Sequence, residues 1–142
     1  KEGLSLQADL TFHLGEVKRI RDEIALLAPQ VPLNYQEKLK QRLNELGVKE
    51  IDEQRLAQEV ALMADRCAID EELSRLISHI AQMTETINQQ GETGRRLDFL
   101  TQELNREVNT IGSKGNDLEQ ARTVVDIKAE LEKIREQTQN IE

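Results

Sequence analysis

Apolar side chains recur at steps of three and four residues along most of the chain, the spacing of one face of an α-helix. The first stripe comprises Leu10, Leu14, Val17, Ile20, Ile24 and Leu27. It predicts a helix from about Leu4 to Ala28, roughly 37 Å long at 1.5 Å per residue. Pro29 and Pro32 lack amide hydrogens and disfavour helix in the residue before them, so the pattern predicts a turn there.

Two shorter stripes follow the prolines. The first, which predicts a helix from Tyr35 to a C-terminal cap at Gly47, comprises Leu39, Leu43 and Leu46. Together with the first helix it predicts a helical hairpin over residues 1–47. A third helix is predicted from an N-cap at Asp52 to about Cys67, with an apolar face of Leu56, Val60 and Met63.

Three longer stripes fill the rest of the chain. The fourth helix, with Asp70 as its predicted cap, carries Leu73, Leu76, Ile77, Ile80, Met83 and Ile87. After a break at residues 91–94, the fifth helix carries Leu97, Leu100, Leu104, Val108 and Ile111 and ends at residues 112–115. Asn116 and Glu119 form a capping-box-like start for the sixth. Its coiled-coil-like stripe is Val124, Ile127, Leu131, Ile134 and Ile141.

This pattern predicts an all-α fold, an elongated bundle of about six helices. Only 37% of the residues are apolar and 2% aromatic, which argues against a β-rich domain and for narrow apolar stripes on long helices. The long first and last helices are expected to pack side by side, antiparallel or coiled-coil-like. We expect two domains, a hairpin arm at 1–47 and a C-terminal helical domain at 48–142. Apolar seams left exposed on the long helices predict self-association, at least to a dimer.

Charge narrows the classes of function. The 19 basic and 27 acidic side chains give a net charge of −8, which repels nucleic acid and anionic lipid. Between residues 94 and 114, however, there are four basic and three acidic side chains, a local net charge of +1, so an anion can approach there. No apolar run approaches the ~20 residues of a membrane span, and no secretory signal is expected. The single Cys67 suits a reducing cytoplasm.

The fifth helix has an unusual polar half. One stripe at steps of four, three and four residues consists of Asp98, Gln102, Asn105 and Asn109. Asn is a mediocre helix former, so its repetition suggests hydrogen bonding or contact with a ligand. Beside the stripe, Glu103 and Glu107 lie one turn apart and could present two carboxylates to one cation. The alternative is a solvated or interhelical polar network.

Glu72, Arg75 and His79 share one face of the fourth helix. This arrangement suits an imidazole that transfers protons or binds a metal beside a carboxylate. The alternative is a half-buried histidine next to an intrahelical ion pair. His13 lacks a nearby carboxylate on its own helix and is expected to be structural, and Cys67 to be a small buried apolar residue.

Several separated blocks resemble the C-terminal domain of the YicC family. They are RLAQEVALMAD at 55–65, EELSRLISH at 71–79, GRRLDFLTQELNREVNTIGSK at 94–114 and KAELEKIREQTQNIE at 128–142. The chain departs from the family pattern at Ala68, where members usually have Asp, and at Met83, where they tend to have Phe. The resemblance implies the C-terminal half of a bacterial, divalent-metal-dependent endoribonuclease that assembles as a hexamer.

On this basis the chain is expected to help cleave single-stranded RNA, with no small-molecule cofactor. The predicted catalytic residues are His79, Glu103 and Glu107, and the expected ligands of Mn²⁺ or Mg²⁺ are Glu72, His79, Glu103 and Glu107. The predicted RNA-phosphate contacts are Arg95, Arg96, Arg106 and Lys114. Two alternatives stay open: an oligomerisation module that leaves the chemistry to a missing N-terminal half, and an RNA-binding adaptor that presents RNA to another nuclease without cutting it.

Overall fold

The computed structural model describes residues 2–89, 93–115 and 117–140, and within them the chain forms six α-helices and no strand. The helices are α1 (Glu2–Leu27), α2 (Gln30–Glu45), α3 (Glu53–Arg66), α4 (Asp70–Ile87), α5 (Gly94–Lys114) and α6 (Leu118–Gln139). The predicted all-α fold of about six helices is confirmed. In these residues, no helix combines the length and the apolar character that crossing a bilayer requires.

Four of the helices form an antiparallel bundle. α1 packs along α6 and α4, and α5 packs along the same two helices. Gln7, near the start of α1, donates to the carbonyl of Ile87 at the end of α4 (3.2 Å). His13 lies 2.8 Å from Glu130 of α6, and Asn34, in the part of α2 that follows the end of α1, donates to Asp117 at the start of α6. The first and last helices therefore pack side by side and antiparallel, as predicted.

The apolar stripes of these four helices meet in one core. Its fully buried side chains include Val17, Leu76, Leu104, Ile127 and Ile134. The seams on α1 and α6 that predicted self-association are thus covered inside the chain, and that argument for self-association was wrong. Each stripe was judged by itself, whereas four stripes that face a common axis cover one another. Self-association itself stays a prediction.

α2 and α3 form a hairpin inserted between α1 and α4. They pack mainly on each other, with Leu56 and Met63 of α3 buried, and α2 touches the bundle at α1 and, through Asn34, at Asp117 before α6. The predicted pairing of α1 with α2 therefore differs from the observed one, because α1 is part of the bundle. The division into folding units at 1–47 and 48–142 stays a prediction.

The break in helical structure at the prolines is shorter than predicted. α2 begins at Gln30, with Pro29 as the residue before it at φ −65°. Pro32 lies in the first turn of this helix, where backbone amides have no partner within the helix in any case. Its missing amide hydrogen therefore removes no helical hydrogen bond, and the predicted turn shrinks to two residues.

The predicted N-caps meet different outcomes. Asp52 caps α3 as expected, since its side chain accepts a hydrogen bond from the Arg55 amide (3.2 Å). Asp70 was predicted to cap α4 but is its first helical residue; Ile69 precedes it and has no polar side chain to accept such a bond. Asp70 still lies where the helix dipole stabilises a carboxylate.

Part of the predicted break and part of the last cap lie outside the described residues. These are residues 90–92 and Asn116, together with Ile141 of the last stripe. In the described part, the Asp117 side chain caps α6 by accepting from the Gln120 amide (3.1 Å). The cap of the sixth helix is therefore Asp117, one residue after the predicted Asn116.

A candidate site between α4 and α5

Two carboxylates are buried where α4 faces α5. Glu72 of α4 is 3% exposed and Glu107 of α5 is 7% exposed. Each lies beside the apolar stripe of its helix, next to Leu73 and Val108, so helix packing carries the carboxylates inward with the core. A buried charge is costly unless it is paired and hydrogen-bonded. The surroundings of these two side chains therefore decide what they can do.

Arg75 joins the two carboxylates. Its Nε donates to Glu107 Oε1 (2.9 Å), and its Nη2 donates to Glu72 Oε2 (3.1 Å). The hydrogen bond to Glu107 raises the pKa of the Arg75 guanidinium further above its usual value. The Arg75 side chain is half-exposed, so it closes the buried pair on one side and faces solvent on the other.

Lys114, at the end of α5, holds Glu72 from a second direction. Its Nζ lies 3.1 Å from Glu72 Oε2 and 3.3 Å from Oε1, and it also donates to the carbonyl of Ala68 (3.2 Å). The two buried carboxylates are thus matched by two cations at the rim. Lys114 was predicted to meet RNA phosphate, and here its ammonium group is already paired with Glu72.

His79 completes the group, which we call the α4–α5 cluster: Glu72, Arg75, His79, Glu107 and Lys114. The His79 Nε2 lies 3.9 Å from Glu107 Oε2, and the imidazole is mostly buried. Its Nδ1 is buried without a hydrogen-bond partner among the described residues. Buried polar atoms are usually satisfied, so an imidazole with an unused nitrogen beside a carboxylate is chemically notable.

The predicted metal ligands do not converge on one point. Glu103 is partly exposed, and its ion-pair partner is Arg106 on its own helix at 4.0 Å. Glu72 and Glu107 accept hydrogen bonds from cations as described above. Over residues 2–89, 93–115 and 117–140, no three His, Cys, Asp or Glu side chains are placed to hold a metal ion. A site for Mn²⁺ or Mg²⁺ formed by Glu72, His79, Glu103 and Glu107 stays a prediction.

The predicted phosphate contacts are spread along α5. Arg95 and Lys114 lie about 28 Å apart along the helix axis at 1.5 Å per residue. Arg96 donates to Gln82 of α4 (3.1 Å), and the Arg106 side chain is 79% exposed. These four side chains therefore do not surround one phosphate.

Among the described residues, no side-chain hydrogen bond links the polar stripe of α5 to another helix. Gln102 and Asn109 are exposed, and the Gln102 amide donates to Asp98 within the same helix (3.1 Å). Contact of this stripe with a ligand stays a prediction. On α4, Arg75 and Glu72 are three residues apart and hydrogen-bonded, so the intrahelical ion pair considered for this face is present.

Some partners could not be found from the sequence. The spacing on α4 indicated that Glu72, Arg75 and His79 share a face, but no pattern linked Arg75 to Glu107, 32 residues away. In the same way His13, which lacked a carboxylate on its own helix, pairs with Glu130 across the bundle. Only helix-to-helix packing decides such contacts.

Comparison with known proteins identifies relatives over the whole chain. A family model described as "Endoribonuclease YicC-like, C-terminal" matches residues 24–142. The chain is 48% identical over 144 residues to a Clostridioides difficile protein named "Probable endoribonuclease YicC", a match covering 100% of this chain and 49% of that protein. A Haemophilus influenzae protein of the same name is 36% identical over 142 residues, with 100% and 49% covered. The chain spans about half the length of these curated relatives.

Proposed function

Because the chain belongs to the YicC-like endoribonuclease family, we propose that it forms the C-terminal part of an enzyme that cleaves single-stranded RNA. The resemblance deduced from the sequence is thereby confirmed at the level of the family. The observation that carries the proposal is the α4–α5 cluster, in which an imidazole with an unused nitrogen lies beside a buried carboxylate and two rim cations.

The groups of the cluster suit cleavage of a phosphodiester. Such a reaction needs a proton taken from the attacking oxygen, a proton given to the leaving oxygen and stabilisation of charge on the phosphate. His79 can take or give the proton. Arg75 and Lys114 are both partly exposed, so they can place positive charge beside a phosphate at the rim while staying paired with the carboxylates.

Glu72 and Glu107 tie these cations to the helices when no substrate is present. Each of the two cations, Arg75 and Lys114, is therefore held in a fixed position at the rim of the cluster. Preorganised charges of this kind stabilise a transition state without first having to reorganise. This is the role we propose for the two buried carboxylates.

The residue types in the cluster are suitable ligands for a divalent cation, but their arrangement does not leave the carboxylates free to bind one. Carboxylates and an imidazole are ligands for Mn²⁺, yet Glu72 and Glu107 already accept hydrogen bonds from Arg75 and Lys114. A cation would have to displace those partners. Dependence on Mn²⁺ or Mg²⁺ is therefore a separate part of the proposal, tested by measuring cleavage and the thermal midpoint with and without Mn²⁺.

The decisive experiment replaces Glu107 by Gln in the full-length protein. Gln keeps the shape and removes the charge beside His79, so cleavage of a single-stranded RNA is expected to fall by about ten- to a thousandfold. Glu103→Gln is expected to lower cleavage as well if Glu103 acts with Glu107. Glu85→Gln, an exposed position on α4, is the matched control and should cleave like the wild type.

Thermal midpoints measured on the same variants separate this proposal from its alternatives. If Glu107→Gln cleaves normally and only melts earlier, the cluster serves stability or assembly, as an oligomerisation module would. If the wild-type protein binds the RNA and leaves it intact with and without Mn²⁺, the adaptor function is the correct one. Assembly of the full-length protein into a hexamer, which the resemblance implies, is part of the same proposal.

A further inference from the structure

The side of α5 that faces away from the bundle carries a second stripe at steps of four and three residues. We call it the outer face of α5: Arg95, Phe99, Gln102, Arg106, Asn109 and Ser113. All six residues are exposed. They lie opposite the buried stripe formed by Leu97, Leu100, Leu104 and Ile111, so neither α4 nor α6 covers them.

The composition of this face is unusual for a solvent-exposed helix. It has two guanidinium groups, two side-chain amides, one hydroxyl and one aromatic ring. None of the six residues is acidic, and the carboxylates that contact them, Asp98 at Gln102 and Glu103 at Arg106, lie beside the face. Exposed helix positions usually favour strong helix formers such as Glu and Lys. Asn109 is a poor helix former and has no hydrogen-bond partner in the part of the chain that the structure describes. Its side chain is therefore available to a ligand.

Phe99 lies within this polar stripe and is 51% exposed. Arg95 lies four residues before it and Gln102 three residues after it, so both are neighbours of the ring on the helix surface. An open aromatic ring between a guanidinium and an amide can stack a nucleobase, contact a phosphate and hydrogen-bond a base edge. A stable protein partner would bury about 800 Å² on each side, more than one row of six side chains on a single helix offers.

We infer that the outer face of α5 binds several nucleotides of single-stranded RNA, with a base stacked on Phe99 and phosphates held by Arg95 and Arg106. The inference rests on the proposed function, because it takes RNA as the substrate. The face is about 27 Å long at 1.5 Å per residue, enough for several nucleotides. Arg106 and Glu107 are neighbours in sequence but project about 100° apart around the helix axis, so the outer face and the α4–α5 cluster are separate surfaces of α5.

The test measures RNA binding separately from cleavage. The full-length protein is titrated into a fluorescently labelled 12-nucleotide single-stranded RNA, anisotropy is read at short times, and a gel verifies that the RNA is intact. Phe99→Ala is expected to raise the Kd by about five- to a hundredfold, the range for loss of one stacked base. Phe99→Trp should restore binding, because it keeps an aromatic ring.

Phe12→Ala is the matched control, since Phe12 is also an exposed phenylalanine (63%) and lies on α1. Its Kd should stay within twofold of the wild type. Arg106→Ala should weaken binding and reduce the slope of log Kd against log salt by about one. A duplex of the same sequence should bind at least about tenfold more weakly, because its bases are already stacked and paired.

The inference is overturned if Phe99→Ala binds within twofold of the wild type, if Phe12→Ala loses as much, or if the duplex binds as tightly as the single strand. Its failure is distinguishable from failure of the proposed function. If the protein cleaves RNA and Phe99→Ala leaves the Kd unchanged, only the inference about the outer face is wrong. If Phe99→Ala weakens RNA binding but the wild-type protein does not cleave RNA, only the proposed activity is wrong.

Discussion

At the scale of single residues, the buried carboxylates of the cluster depend on their cations. Glu107 is 7% exposed, and its shortest charged contact is the Arg75 Nε at 2.9 Å. Removing one partner of such a pair leaves a charge that neither water nor another cation stabilises fully. Since Lys114 contacts Glu72 on the other side, the two carboxylates are not equally dependent on Arg75.

Arg75→Met tests this dependence. The substitution keeps an apolar stem of similar length and removes the charge, so the thermal midpoint of the chain should fall by about 3 °C or more at pH 7. Arg122→Met, at an exposed position on α6, is the control and should melt like the wild type. An equal midpoint for both variants would show that Glu107 does not need Arg75 in the folded state.

At the scale of helices and turns, two glycines with opposite surroundings show where backbone freedom matters. Gly47, just after α2, has a φ of +84°, a conformation that side chains with a Cβ rarely adopt. Gly15 lies inside α1, is exposed, and has no atom within 4 Å of where a Cβ would stand. The same substitution should therefore change stability in opposite directions at the two positions.

Gly47→Ala is expected to lower the free energy of unfolding by about 1 kcal/mol, because alanine is strained at positive φ. Gly15→Ala is expected to raise it by about 0.5–1 kcal/mol, because alanine loses less backbone entropy in a helix. Urea unfolding followed by circular dichroism measures both values. A loss at Gly15 would mean that this position is covered by a partner that a Cβ disturbs.

At the scale of the whole molecule, the bundle and the α2–α3 hairpin differ in how much core they share. α1, α4, α5 and α6 meet around a common core, whereas α2 and α3 pack mainly on each other. Regions with few contacts to the rest of a protein open locally at lower free energy than its core. Backbone amides of the hairpin should therefore exchange with solvent faster than those of the bundle.

Two leucines test this division by hydrogen exchange. Leu104→Ala empties a fully buried position in the bundle and should lower global stability by about 2–5 kcal/mol, with faster exchange in all four bundle helices. Leu56→Ala removes a buried side chain of the hairpin and should speed exchange in α2 and α3 only. Faster exchange throughout the chain in Leu56→Ala would show that the hairpin and the bundle unfold together.

The class of fold, the six helices and the family were all predicted from the sequence. Stripes at helical spacing marked all six helices, because an apolar face must be buried wherever the helix is finally placed. The positions that ended or capped them were also visible, as at Gly47 and Asp52, since such effects act within a few residues. The grouping of Glu72, Arg75 and His79 followed from the same local geometry.

The pairing of α1 with α6 could be expected from the length of both helices, but the other helix pairs became known only from the packing. Every stripe can be buried by any other, so apolar spacing could not show that α1 also packs on α4 or that α2 turns to α3. The same holds for ion pairs between helices, as Arg75 with Glu107 and Lys114 with Glu72. The spacing of charged residues does not indicate which residue far away in the chain they will pair with. The contacts that hold the candidate site form only when packing brings α4 and α5 together.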